Sequence, residues 1–284
     1  MTGPAGGRDV ILVTGATGKV GRSVVSQLVE AGAAVRALAR DPGSARLPAA
    51  AEVVQGDLYR PETLPAAVAG AGAVFLLWPS PTAEAAPPVI DVLAVGAPRI
   101  VFVSSMGADG EAGTAFHAEI ERLIRQSAMP WTFLRAGGFA ANTLIWAPQI
   151  HAGDVVRWPY AQAGRSLIHE RDIAAVAVRA LTQDGHAEAI HVLTGPEALT
   201  QEQQVLAIGQ ALDRPLRYDE IPAQAALEQM VSDGWPRAFA EHALGYWATL
   251  VSRPEPVTRT VREITGSPGR TFAEWAQDHA DDFR

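Results

Sequence analysis

The sequence contains no cysteine. That absence removes disulfide frameworks, zinc ribbons, iron–sulfur ligation and thiolate nucleophiles together, and it fits a reducing cytoplasm. Lysine occurs once, as Lys19; the other formally positive side chains are arginines. No apolar run is long enough to span a membrane. The glycine-rich start, Met1 to Asp9, has no apolar signal core. No long basic run offsets the formal net charge of −8 at pH 7, so duplex nucleic acid is repelled overall. The expectation is a cytoplasmic protein with a small-molecule partner, and with neither a nucleic acid nor a membrane as partner.

What remains is enough for a large core. A chain of 284 residues makes one large domain or two joined lobes and needs no metal to fold. Its first half alternates two periodicities. Short apolar, often β-branched runs read as buried parallel strands: Val10–Val13, Ala34–Leu38, Val53–Val54, Val74–Leu77, Ile100–Val103 and Trp131–Leu134. Between them, Val20, Val24, Val25, Leu28 and Val29 recur at helical spacing, as do Ile120, Leu123 and Ile124. This alternation predicts an α/β fold with a doubly wound parallel sheet of Rossmann type.

After Gly137-Gly138 the pattern changes. Ser166–Ile168 reads as a short strand, Arg171–Leu181 as a helix, and Ala189–Leu193 as a strand able to rejoin the sheet. Thr200-Gln-Glu-Gln203 and Thr271-Phe-Ala-Glu274 are capping boxes opening two helices. Pro79 to Pro88 reads as a surface loop. The expected division is a nucleotide-binding domain over 8–150, rejoined by 166–195, and a smaller, mainly helical substrate lobe over 196–284.

The strongest motif is Val10-Ile-Leu-Val-Thr-Gly15-Ala-Thr-Gly18-Lys-Val-Gly21. A buried strand enters three glycines spaced by three, and a helix follows. Gly15 permits the turn, Gly18 lets a pyrophosphate approach the backbone, and Gly21 lets helix and strand pack closely. The free N–H groups of the helix start then face the phosphates. Gly15, Ala16, Thr17, Gly18, Lys19 and Val20 are therefore expected at a dinucleotide. The second strand ends in Arg40, with Asp41-Pro42 turning the chain away. An arginine there accommodates the extra phosphate of NADP, where an acidic residue would favour NAD. With Lys19 nearby, the cofactor expected is NADP(H).

These segments resemble the NmrA-like branch of the atypical short-chain dehydrogenase/reductases. The likeness rests on Thr14-Gly-Ala-Thr-Gly-x-x-Gly21, Gln55-Gly-Asp57-Leu58, Phe102-Val-Ser-Ser-Met-Gly107, His117-Ala-Glu-Ile-Glu121 and Trp131 through Asn142. It extends through Ile168-His-Glu-Arg-Asp172 and Gly195 to Thr200 as far as Arg270 to Ala276. The resemblance implies that Asp57 and Leu58 lie against the adenine, and that Leu76, Leu77 and Trp78 line the ribose and nicotinamide side. It implies that Ser104 and Ser105 stand beside the nicotinamide and that Gly137, Gly138 and Phe139 close over it. Asp172 is expected to cap the following helix.

The departures matter as much. Ordinary members of the wider superfamily use a Tyr-x-x-x-Lys pair for proton delivery. None of Tyr59, Tyr160, Tyr218 or Tyr246 has a lysine four residues on. His117, with Glu121 one helical turn later, takes that place, and His117 and Ser104 are the candidates for catalysis. No Gly-x-Ser-x-Gly elbow is present. His186 and His191 are five apart, a spacing that does not put both on one helical face as a metal pair would be, and no metal is expected. The remaining histidines, His151, His169, His242 and His279, read as structural or surface residues. The expected function is hydride transfer from NADPH to a small delocalised acceptor: a quinone, enone or imine. A cofactor sensor without chemistry and a biosynthetic enzyme with a non-redox step would share the same cofactor motif. Trp78, Phe139, Trp146, Trp158 and Trp247 are candidates for the wall of an apolar pocket.

Overall fold

The computed structural model describes residues 10–110 and 114–284. The reading of Met1 to Asp9 lies outside them. Strands β1 to β6 are Val10–Val13, Val35–Ala39, Glu52–Gln55, Ala71–Leu77, Ile100–Ser105 and Trp131–Ala136. They are followed by β7 Val155–Trp158, β8 Gly164–Arg165, β9 Ala189–Leu193, β10 Leu199–Thr200 and β11 Arg217–Glu220. The seven-stranded parallel sheet runs β3-β2-β1-β4-β5-β6-β9, the order of a doubly wound Rossmann fold. Its central strands are mainly apolar because helices cover both faces: Leu12, Val13, Val74, Phe75, Ile100 and Phe102 are buried.

Helices α1 Lys19–Glu30, α2 Pro65–Val68, α3 Ala86–Gly96 and α4 Ala115–Gln126 belong to this half. In α1, Val20, Val24, Val25 and Leu28 are buried, the face that its periodicity predicts. The stretch Pro79 to Pro88, expected as loop throughout, gives way to α3 at Ala86. Pro87 and Pro88 fall in the first turn, where a missing N–H costs no hydrogen bond.

The chain divides into two units. Of the described residues, the first holds 10–110, Thr114–Arg135 and Ile173–Val192; the second holds Ala136–Asp172 and Leu193–Arg284. The second thus begins earlier than the expected boundary at 150, and of the stretch 166–195 only Ile173–Val192 returns to the first. The physical reason is the core of the second unit. Trp146, Ile150, Val156 and Trp158 pack in one apolar cluster with Val205, Ile208, Met230, Leu244, Trp247 and Trp275.

This unit is mostly helical. It contains α5 Ala147–Ala152, the first turn of α6 Glu170–Thr182, then α7 Gln201–Leu212, α8 Ala223–Ser232, α9 Arg237–Ser252, α10 Thr260–Thr265 and α11 Phe272–Asp278. Strand β7 pairs in parallel with β11, and β8 antiparallel with β10. The strand expected at Ser166–Ile168 is displaced: the pairing lies at Gly164–Arg165, and Ile168 makes only an isolated bridge with Phe139. Ser166 N–H donates instead to the Glu255 carboxylate at 2.8 Å, which takes it out of a ladder. Asp172 is also relocated. It sits inside the first turn of α6 and accepts from the backbone N–H of Arg270 at 2.6 Å and from its guanidinium.

Candidate functional site

Strand β1 delivers the chain to the glycine turn, and β4 runs beside it. Thr14 ties the two ends together, its hydroxyl accepting from Leu77 N–H at 2.9 Å. Gly15 then turns with φ +60°, a conformation that glycine adopts without strain. A Cβ on Gly21 would lie 2.1 Å from the Gly15 carbonyl oxygen, so glycine there is a condition of helix and turn packing together. A Cβ on Gly18 would meet one protein atom, the Gly15 oxygen at 3.3 Å, and otherwise point into open space.

That space is a cavity of about 380 Å³ lined by Gly15, Thr17, Gly18, Leu38, Ala39, Arg40, Gly56, Asp57, Leu58, Tyr59, Leu77, Trp78 and Pro79. Turn, second-strand end and third-strand end, distant in sequence, thus share one wall. The bare Gly18 backbone, the α1 N-terminus and an apolar slot are what a dinucleotide's pyrophosphate and adenosine require, so the residues present fit NAD(P)H. Arg40 is exposed on this wall. Asp41 is engaged away from it. Its carboxylate accepts from Gly43 N–H at 3.0 Å and caps a 3-10 turn over Pro42–Ser44. Asp57 accepts from Tyr59 N–H at 3.0 Å, which shapes the loop that carries Leu58.

Not every expected contact has a side chain in this cavity. Ala16 and Val20 are buried beneath the turn, and Lys19 is exposed at the start of α1, outside the cavity lining. The structure adds Leu38, Ala39, Tyr59 and Pro79, which the sequence motifs do not single out, and brings Gly56 of the Gln55–Leu58 motif into the lining. Tyr59 spans the rim, its hydroxyl donating to the Pro79 carbonyl at 3.2 Å. Its position directly after Asp57-Leu58 is the available signal.

The end of β5 opens onto a buried polar network. Ser104 donates to Glu121 Oε1 at 2.6 Å. Glu121 is itself buried and takes Nε and Nη2 of Arg135 at 2.9 and 2.8 Å, with Arg125 at 3.0 Å. Asp109 receives the other edge of the Arg135 guanidinium. Burial pushes Glu121 up, but the hydrogen bonds of Arg135 and Ser104 outweigh it and hold the group below the usual carboxylate range. It is therefore a carboxylate, and the Ser104 proton is directed to it. Ser104 presents acceptor lone pairs, not a donor proton. Ser105, half-buried, accepts from Gly107 N–H at 3.3 Å.

His117 stands in the first turn of α4, its ring centroid 3.9 Å from that of Phe116. Burial lowers its pKa to about 4 against the opposing pull of Glu121 and the Thr114 backbone. At pH 7 such a group is doubly protonated in roughly one molecule in a thousand. The neutral imidazole therefore predominates at pH 7.

The second unit holds Gly137, Gly138 and Phe139, each half-buried. Gly137 N–H donates to the Leu193 carbonyl at 2.9 Å, and Gly138 lies under the guanidinium of Arg165. Of the aromatic candidates, Trp146, Trp158 and Trp247 are buried in the core of this unit, whereas Trp78 lines the cavity of the first. His169 is buried, the structural alternative; it contacts Glu170 and Asp278, both at 3.3 Å. His186 Nδ1 and His191 Nε2 do approach, to 3.1 Å. No third metal-ligating side chain joins them among the described residues. Among those residues, no helix is long and apolar enough to cross a membrane.

Comparison with known proteins agrees with this geometry. Residues 15–184 match a family described as NAD(P)H-binding. The chain is 38% identical over 281 residues to a (4-alkanoyl-5-oxo-2,5-dihydrofuran-3-yl)methyl phosphate reductase of Streptomyces griseus, covering 96% of this chain and 99% of the relative. It is 35% identical over 285 residues to an NAD(P)H azoreductase of Xenophilus azovorans, covering 96% and 99%. In fold it matches the NADPH complex of a quinone oxidoreductase from Escherichia coli, with TM-score 0.79 and 23% identity over 94% of this chain and 99% of that one.

Proposed function

The chain belongs to the NAD(P)H-binding, NmrA-like family of atypical short-chain dehydrogenase/reductases, and we propose that it is an NADPH-dependent reductase of conjugated carbonyl compounds. That it is an NAD(P)H-dependent reductase follows from the family and its named relatives. The class of acceptor and the preference for NADPH are the proposal. Arg40 supports the second: it is exposed on the cofactor wall while Asp41 is held in its own turn.

The observation that carries the acceptor class is the state of the proton donors. There is no tyrosine–lysine pair, the Ser104 proton goes to Glu121, and His117 is neutral. A simple ketone needs an acid as hydride arrives, because charge collects on one oxygen. An alkene conjugated to a carbonyl does not. Hydride adds at the β-carbon, the alkene electron pair moves towards the carbonyl, and the delocalised enolate takes one proton from water. Bound NADPH supplies the hydride. The protein's part is to hold cofactor and acceptor, with Ser104 and His117 as neutral polar groups. The Streptomyces relative acts, by its name, on an alkanoyl-substituted oxo-dihydrofuran phosphate, a member of this conjugated class.

The test is NADPH consumption with matched enones, quinones and saturated ketones. Turnover of the conjugated compounds, with saturated ketones at least a hundredfold slower, is expected. Tight NADPH binding with no oxidation by any acceptor would overturn the reading in favour of a cofactor sensor.

A further inference from the structure

Among the described residues, the buried guanidiniums of Arg135 and Arg36 are strongly paired and that of Arg165 is not. Arg135 is forked onto two carboxylates, and Arg36 meets Glu52 at 2.8 Å and two backbone carbonyls. Arg165, at the end of β8, has a side chain only 12% exposed and a single long contact, Nε to Glu255 Oε1 at 3.5 Å. Glu255 is more deeply buried, but its carboxylate is occupied by others. It accepts from Ser166 N–H at 2.8 Å, the Ser166 hydroxyl at 3.4 Å and the Tyr246 hydroxyl at 2.9 Å. It pairs with the guanidinium at Nε alone and leaves the Nη1–Nη2 edge to another partner. Among the described residues, no acceptor meets Nη1 or Nη2 of Arg165.

The seat of this guanidinium is shaped for it. A Cβ on Gly138 would stand 2.2 Å from Arg165 Nη2 and 3.0 Å from Cζ, so any other residue there would displace the group. The Trp247 ring lies 6.0 Å from Cζ and borders the same seat. A desolvated cation with an unoccupied fork is costly unless an anion completes it. We propose that Arg165 is the binding residue for an anionic group on the substrate, a phosphate monoester or a carboxylate, received bidentately on Nη1 and Nη2. The proposal rests on the reductase reading for the word substrate, but not for the binding.

The experiment separates the two. Protein saturated with NADP+, so that the phosphate contacts of the cofactor cavity are filled, is titrated calorimetrically with phenyl phosphate, benzoate and benzyl alcohol. At least one anion should bind roughly ten- to a hundredfold more tightly than the alcohol. The tighter anion identifies phosphate or carboxylate as the group. Arg165→Gln should remove the preference, and Arg165→Lys should restore part of it, a point charge replacing a fork. Tryptophan fluorescence and Tm of each variant check that the second unit is folded. Equal affinity of folded wild type and Arg165→Gln for both anions, or no anion preference in the wild type, would overturn the proposal. A second arm compares an enone with its phosphate ester as acceptors. With phosphate replaced by a carboxylate where that anion binds more tightly, equal kcat/KM for the neutral and the anionic enone sinks the proposal and leaves the reductase reading standing. Arg165-dependent anion binding with no NADPH oxidation by either leaves the site standing and sinks the reductase reading.

Discussion

At Gly18 and Gly21 the same residue type answers two different demands, and substitution separates them. Gly18→Val places a branched side chain in the cofactor cavity and meets little protein. It should abolish NADPH binding, followed by fluorescence titration, with Tm unchanged. Gly21→Ala drives a methyl to 2.1 Å from the Gly15 carbonyl oxygen, backbone against backbone. It should lower Tm by several degrees before any effect on the cofactor is considered. If the two variants lose stability equally, the division of roles is wrong. Arg40 gives the third test. A charge-assisted contact to phosphate contributes about 1.5–3 kcal/mol. Arg40→Ala should therefore weaken NADPH roughly ten- to a hundredfold and leave NADH nearly untouched; equal losses would remove NADPH preference from this residue. The three glycines, and the place of Arg40 on the cavity wall, were legible because they depend on backbone geometry at fixed positions after a strand. Tyr59 and Arg165 were not, because their partners lie 20 residues away at Pro79 and 90 away at Glu255.

Elements were legible in proportion to how local their causes are. Both capping boxes form as read, Thr200 with Gln203 and Thr271 with Glu274. The buried strands of the main sheet follow from apolar runs. Strand β11, Arg-Tyr-Asp-Glu, has no such run; it exists because β7 lies beside it in parallel register. The strand expected at Ser166–Ile168 failed for the converse reason, a competing carboxylate at Glu255. Asp172 had the composition of a cap and was drawn instead to Arg270. The protonation of His117 is likewise a matter of surroundings. His117 stands out by its spacing to Glu121, but its protonation depends on burial among Phe102 and Phe116, which spacing does not reveal. The cap of α11 gives a measurable consequence. Thr271→Ala removes the acceptor for Glu274 N–H and one side of the box, and should cost about 1 kcal/mol. The urea midpoint should fall with the m-value constant; an unchanged midpoint would mean that Phe272 and Trp275, buried in the core, hold the helix start without its cap.

Over the whole chain, acid stability brings both units into one measurement, since each carries a buried group held below its ordinary pKa. In the first it is His117, lowered by burial from 6.5 to about 4. The unfolded imidazole takes a proton near 6.5, while the folded one resists to about 4. Between those values the unfolded chain binds more protons, so stability falls as pH falls, by roughly 3 kcal/mol at most once the lower value is passed. In the second unit it is Glu170. Burial pushes it up, but hydrogen bonds from His169 and His279 and from its own backbone hold it well below the carboxylate range. Trp275 Nε1–H donates to the same carboxylate at 3.1 Å. This contribution is present above the ordinary value of 4.5 and is lost as pH falls below it. The expected profile of urea stability against pH thus has two descents, one from about 6.5 towards 4 and one starting below 4.5. His117→Gln should flatten the first and leave the second. Glu170→Gln should lower stability at pH 7, because a carboxylate between two histidines is lost, and flatten the second. Five of the seven tryptophans, Trp146, Trp158, Trp235, Trp247 and Trp275, lie in the second unit, so their fluorescence mainly follows the Glu170 descent. A His117→Gln profile as steep as wild type between pH 6.5 and 4 would mean that the imidazole takes its proton at the same pH folded and unfolded, so that burial does not keep it from acting as a proton donor.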